Sequence, residues 1–209
     1  MIYPNALPFL REIFAGDASG HDFYHTLRVY RNARKIAEVE GGNPEIIELA
    51  ALLHDVDDPK LFGSSGGRLP NAERFFAENG ISEETACWVQ KILHKVSFKG
   101  TETAIPDTLE GKIVQDADRL DAIGAIGIAR AFAYGGSRGR SIYLPDEKPK
   151  ELMTAAEYAA NQGTSINHFY EKLLLLKDRM NTPTAREMAA RRHAFMEAFL
   201  AQFYSEWGE

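Results

Sequence analysis

His54 and Asp55 stand side by side at the end of the apolar run Leu49-Ala50-Ala51-Leu52-Leu53, with Asp57 and Asp58 just behind them. A run of that kind belongs in the interior. An imidazole and several carboxylates at its buried end are costly unless a cation shares their charge, and a divalent metal ion would do so. The competing reading is a helix terminus whose acids face solvent, and the local pattern alone does not choose between them. A second set of acids, Asp116, Asp118 and Asp121, lies in Lys112–Asp121. Projected at about 100° per residue, Ile113, Val114, Ala117, Leu120, Ile123 and Gly124 form one apolar arc that takes in Asp116 and Asp121 but not Asp118. Asp118 is therefore the poorest ligand candidate of the three. Periodicity does not separate Asp116 from Asp121, and either has another conceivable partner in a buried arginine such as Arg130.

Helices must position these groups, because apolar residues recur at helical spacing almost throughout and no segment alternates with period two over strand length. The expected fold class is all-α. Asp22 caps a helix to about Glu40, stopped by Gly41-Gly42, with His25 in its first turn. Asn43-Pro44 opens a central helix, Glu45 to about His54, whose last turn delivers His54-Asp55. Further helices are expected at Asn71–Asn79 and Glu83–Lys95, and a long helical segment from about Leu109 to Tyr134, ended by Gly135-Gly136. Thr154-x-x-Glu157 and Thr184-x-x-Glu187 have the spacing of capping boxes, and Asn181-Thr182-Pro183 breaks the chain before the last helix. The glycine-rich stretches Gly63–Pro70 and Gly135–Pro149 each carry arginine and are read as loops, either covering a site or simply exposed.

Composition narrows the function classes. With 209 residues, 44% of them hydrophobic and 26% charged, the chain is long enough for one domain with a full core. A net charge of -6 disfavours nucleic acid or anionic membrane as a general partner, although a metal can invert the charge locally for a small anion. The single cysteine, Cys87, allows no internal disulfide, and the amino-terminal residues lack the pattern of a secretion signal, so a cytoplasmic location is expected. The longest apolar runs fall far short of the ~20 residues needed to span a bilayer.

A histidine early in one helix, then His54-Asp55 ending a core helix, then an aspartate in a later helix resembles the H…HD…D pattern of the HD-domain superfamily of metal-dependent phosphohydrolases. The flanking text Ala51-Leu52-Leu53-His54-Asp55, Gln115-Asp116-Ala117-Asp118-Arg119-Leu120-Asp121 and Asn167-His168-Phe169-Tyr170 resembles the small stand-alone bacterial branch over nearly the whole chain. The resemblance implies an HD-type helical bundle over 1–209, with a core at about 20–135 and C-terminal helices at about 154–207. It also implies metal ligands at His25, His54, Asp55 and Asp116, so that it, and not the helical projection, selects Asp116.

Two imidazoles and two carboxylates on a six-coordinate ion would leave positions for water and a phosphoryl oxygen. Mn²⁺ is the ion expected first, with Mg²⁺, Fe²⁺, Co²⁺ and Ni²⁺ as alternatives. Asp58, beside Asp55, is the candidate to take the proton of an attacking water. Arg28, Lys60 and Arg119 are candidates for neutralising phosphate, and His21 and His94 for other substrate contacts. The sequence assigns no role to the 135–149 loop or to His168. The implied activity is hydrolysis of nucleotides, releasing phosphate or pyrophosphate. No Gly-x-x-x-x-Gly-Lys-Ser/Thr loop is present, so metal and side chains would have to hold the phosphates. Two-metal members of the superfamily need two further histidines between the HD pair and the last aspartate, and only His94 lies there. A non-catalytic HD module that binds a nucleotide or acts in signalling is the alternative function.

Overall fold

A computed structural model describes residues 3–15, 22–58, 62–63, 66–96, 103–150 and 153–208. The described residues form α-helices and connections, with no strand among them. The helices are α1 (Ala6–Ile13), α2 (Phe23–Glu40), α3 (Pro44–Leu53), α4 (Pro70–Glu78), α5 (Glu83–Val96), α6 (Leu109–Asp121), α7 (Gly124–Ser137), α8 (Ala155–Ala160) and α9 (Pro183–Trp207). A π-helical turn, Phe169–Leu173, and a 3₁₀ segment, Leu174–Arg179, precede α9. None of these helices is long and apolar enough to cross a membrane.

The caps account for the boundaries that site geometry depends on. Asp22 caps α2 and Asn43 caps α3, with Pro44 at the first helical position, as expected. Thr154 and Glu157 make the reciprocal capping box: the Thr154 N–H donates to Glu157 Oε2 at 2.8 Å and the Glu157 N–H to Thr154 Oγ1 at 3.3 Å.

The expected segment Leu109–Tyr134 is instead two helices. Ile123 is extended and Gly124 has φ +77°, a conformation that breaks the helix and that L side chains rarely adopt. A Cβ at Gly124 would also come within 3.0 Å of the Arg192 side chain. Helix α7 then runs through Gly135-Gly136 to Ser137. The last helix is capped by Thr182 and not by Thr184: Pro183 takes the first helical position, where a missing N–H costs nothing, so Thr182 must cap, and its Oγ1 accepts from the Ala185 N–H at 3.3 Å.

The chain divides into two compact units, Met1–Phe98 with Ala104–Asp118, and Lys99–Thr103 with Arg119–Glu209, so that the division falls within α6. In the first unit α3 is the central helix, buried from Ile47 to Leu53, with α2 and α5 packed on it. Glu48 is buried among these apolar residues, where it accepts from the Tyr30 hydroxyl at 3.0 Å and the Tyr3 N–H at 3.1 Å. Burial, and then the Glu48 carboxylate, raise the Tyr30 pKa and keep its proton available for this bond. In the second unit α9 packs on α7 and on the 3₁₀ segment, and Phe169 stacks on Phe199 at 5.7 Å between ring centres.

Glu48→Ala strands two donors inside the first unit. It is expected to cost about 2 kcal/mol, and so to lower the melting temperature of the metal-free protein by roughly 4–8 °C, checked by calorimetry.

Candidate metal centre

His25 is placed by the cap of its own helix: its backbone N–H donates to Asp22 Oδ1 at 2.7 Å, which fixes the first turn of α2. His54 follows the last residue of α3 with helical backbone angles. Its Nδ1 lies 2.9 Å from the Ala51 carbonyl, which can only accept, so Nδ1 carries the proton and Nε2 is turned to the site. The turn after it is pinned from outside. Both Asp57 carboxylate oxygens accept, at 2.9 Å each, from the N–H groups of Asn71 and Ala72 at the start of α4, and Asn71 Nδ2 donates to the Val56 carbonyl at 2.7 Å. Leu69, at the cap position of α4, has no side-chain oxygen to offer, so Asp57 does that work from a distance.

Three atoms converge. His25 Nε2 and His54 Nε2 are 3.1 Å apart, and Asp55 Oδ2 lies 3.3 Å from each. All three residues are buried, and among the described residues they form a compact group of metal-type donors. The spacing suits an ion. Adjacent ligands on an octahedral ion with bonds of about 2.1–2.2 Å are about 3.0–3.1 Å apart, and on a tetrahedral one about 3.4–3.6 Å. Two nitrogens and a carboxylate oxygen match the ions of the Mn²⁺ to Zn²⁺ series better than Ca²⁺.

Of the carboxylates on α6, it is Asp118 that approaches this group, with Oδ1 3.5 Å from His25 Nε2 and 3.9 Å from His54 Nε2. The helical projection ranks Asp118 last because it scores burial in the apolar arc. Asp118 lies at the edge of that arc, 25% exposed in its side chain. Asp116 is fully buried on the same helix, and neither it nor Asp118 is one of the three residues of the compact group. Asp121, the third acid, pairs with Arg130 at 2.9 Å, the alternative that periodicity leaves open.

The remaining candidates lie on several elements. Asp58 is buried just beyond the turn, its N–H donating to the Asp55 carbonyl at 3.1 Å. Arg28 is half-buried one turn along α2 from His25, and His94 is exposed in the last turn of α5. Arg119 is buried and its guanidinium donates to the Arg179 carbonyl. His21 and Lys60 lie outside the described residues. His193 is buried in α9, 3.3 Å from Glu197. His168 sits in the second unit, where burial, and then Lys172 and Arg140, push its pKa down to about 3 and keep it neutral. Its neighbour Asn167 donates to the Glu147 carbonyl at 3.0 Å, so the Asn167-His168-Phe169 text ties down the 135–149 segment.

Burial alone would lower the His54 pKa, but the charges of Asp55 and then Asp118, with the Asp55 and Ala51 hydrogen bonds, raise it to about 9. In metal-free protein the extra proton thus does part of the work of a cation. His54 binds that proton more tightly folded than unfolded, so its stabilisation is fully present below about pH 6.5 and is lost as pH rises towards 9. Metal-free protein should therefore show a contribution to melting temperature that falls between these values, and Mn²⁺ uptake at neutral pH should release a proton, measurable by calorimetry in buffers of different ionisation enthalpy. Uptake without proton release would contradict a protonated His54.

Known proteins resemble this chain over most of its length. Residues 22–123 match the model of the HD domain. A curated relative, the Bacillus subtilis protein YpgQ, is 39% identical over 196 residues, covering 93% of this chain and 88% of its own length. A solved structure from Lactobacillus plantarum superimposes with a TM-score of 0.82 at 40% identity, covering 100% of this chain and 99% of the other. An HD-superfamily hydrolase from Bacillus thuringiensis does so at 0.75 and 45%, covering 98% and 95%. The structure of YpgQ in complex with ADP also gives 0.75, at 39% identity, covering 96% and 97%. With such identity across nearly the full length, and the HD-domain match over residues 22–123, this chain belongs to the HD-domain family.

Proposed function

We propose that this protein is a divalent-metal-dependent phosphohydrolase that acts on nucleotides, releasing phosphate or pyrophosphate. The observation that carries this reading is the convergence of His25 Nε2, His54 Nε2 and Asp55 Oδ2 within 3.1–3.3 Å in a buried setting. The nucleotide class is supported by the similarity to YpgQ, which has been crystallised with ADP. Mn²⁺ is the proposed ion, held by these three residues with a fourth ligand from α6. The 3.5 Å approach of Asp118 Oδ1 to His25 Nε2 supports Asp118 for that place, whereas the family resemblance in sequence points to Asp116.

A divalent ion at this position supplies a Lewis acid that acidifies a bound water and polarises a phosphoryl oxygen. The chain's own part is to hold and neutralise. The bond from His54 Nδ1 to the Ala51 carbonyl fixes the ring plane, and the Asp22 cap fixes the turn that carries His25. Arg28, on the helix that carries His25, is the first choice for countering phosphate charge, ahead of Arg119, which already serves a backbone carbonyl. His94, His21 and Lys60 remain candidates for binding. Asp58, next to the turn and buried, is the proposed acceptor of the water's proton, at a carboxylate oxygen.

The test is Mn²⁺-dependent release of phosphate and pyrophosphate from nucleoside mono-, di- and triphosphates, with metal content measured on every variant. Asp55→Ala is expected to lose both metal and activity, the latter by more than about a hundredfold, since even outer-shell partners of metal ligands cost 10–100-fold. Asp58→Asn should keep metal and lose turnover. If Asp118 is the ligand, Asp118→Ala loses metal and Asp116→Ala keeps it; the reverse would restore Asp116. Nucleotide binding by metal-loaded protein without any turnover would overturn the hydrolase in favour of a non-catalytic nucleotide-binding module.

A further inference from the structure

The second unit contains a cavity of about 610 Å³, none of whose lining residues belongs to the metal centre. It lies against the end of α7 and the turn that follows. Gly139, with φ +66°, lets this turn fold back on the helix: the Arg138 N–H donates to the Tyr134 carbonyl at 3.1 Å and the Arg140 N–H to the Gly135 carbonyl at 2.9 Å. Both guanidinium groups are thereby laid on one ring, with Cζ 5.4 Å (Arg138) and 5.5 Å (Arg140) from the Tyr134 centroid.

Arg140 donates to the Asn161 carbonyl at 2.6 Å, and neither arginine has a carboxylate partner among the described residues. One carboxylate, Glu147, lines the cavity, and its Oε1 accepts from Asn167 Nδ2 at 3.3 Å. Glu171, behind the wall, is engaged by Asn161 Nδ2 at 2.6 Å and the Lys150 N–H at 3.1 Å. Among the described residues, two guanidinium groups thus share the cavity lining with one carboxylate. The suppressed pKa of His168, whose causes include Arg140 and Lys172, reports the same positive surroundings from a neighbouring buried group.

We propose that this cavity binds a phosphorylated small molecule, with Arg138 and Arg140 taking its phosphate oxygens and Tyr134 holding both arginines in place. A guanidinium fork matches phosphate geometry in two parallel hydrogen bonds, and an aromatic backing lowers the entropy lost in forming them. The Ser141 and Gln162 side chains add polar groups at the wall. The volume is within the usual range of about 300–1,000 Å³ for small-molecule sites and accommodates a nucleotide or a sugar phosphate. The proposal does not use the metal, so its test is made without one.

The test is calorimetric titration of the full-length, chelator-treated protein with inorganic pyrophosphate at low ionic strength. Saturable binding of one equivalent is expected. Arg138→Gln, a change at an exposed side chain, should weaken it about tenfold or more, as the loss of a charge-assisted bond implies, with Arg138→Lys in between. Arg140→Gln should act in the same direction, but Arg140 also holds the Asn161 carbonyl, so Arg138→Gln decides if that variant folds poorly. His54→Ala should bind pyrophosphate at this cavity as wild type does, since His54 is not among the lining residues. As a second readout, ligand binding should raise the His168 pKa, followed by the pH dependence of its imidazole proton resonances. No saturable binding, or binding unchanged by Arg138→Gln, would overturn the proposal; binding lost in His54→Ala would assign the anion to the metal-free centre instead, where His54 carries the positive charge.

Discussion

Two imidazole nitrogens and a carboxylate oxygen within 3.1–3.3 Å of one another, inside a protein, repel unless something positive lies among them. The first unit is organised around holding them there. They come from the start of one helix and the end of another, so the distance between them is set by the packing of α2 on α3. The buried bond from Tyr30 to Glu48 joins these same two helices across their contact. The caps at Asp22 and Asn43 fix where each helix begins, and Asp57 clamps the turn that carries Asp55 to the start of α4. Strength of any single bond matters less here than the number of independent restraints on three atoms.

The aspartates show how one side chain is given different work by what stands opposite it. Asp22 and Asp57 meet backbone N–H groups and end helices. Asp121 meets a guanidinium and forms an ordinary buried ion pair. Asp55 meets two imidazoles, and Asp118 approaches the same pair from the edge of the core. Only this last setting leaves negative charge and nitrogen lone pairs aimed at one point, which is the arrangement an ion resolves. Burial does not distinguish the cases, since Asp55, Asp116 and Asp121 are all buried.

Much of this is legible in the residues. The caps Asp22 and Asn43-Pro44 set the limits of α2 and α3, and with them the places of His25 and His54-Asp55. Local signals of this kind act over three or four residues and survive in a sequence. Interactions across the fold do not. Nothing near Asp57 announces that it caps a helix fourteen residues later, although the absence of a capping side chain before Pro70 is a hint. The break at Gly124 reads as continuous helix because a single glycine in an apolar helical pattern does not announce a positive φ, and the close approach of Arg192 to it comes from α9, far along the chain. The approach of Asp118 to the histidines is not legible in the sequence, because helical projection measures which face is apolar and Asp118 lies at the edge of that face. The arginines at 138 and 140 read as loop residues because their common partner, Tyr134, lies on the preceding helix.

The most direct measurement of the central claim is anomalous diffraction from crystals of the protein grown with Mn²⁺, collected at the manganese absorption edge. The account predicts one strong peak about 2.0–2.4 Å from His25 Nε2, His54 Nε2 and an Asp55 carboxylate oxygen, with a further ligand from α6. Crystals with saturating Mn²⁺ and no anomalous density among these three residues would contradict it.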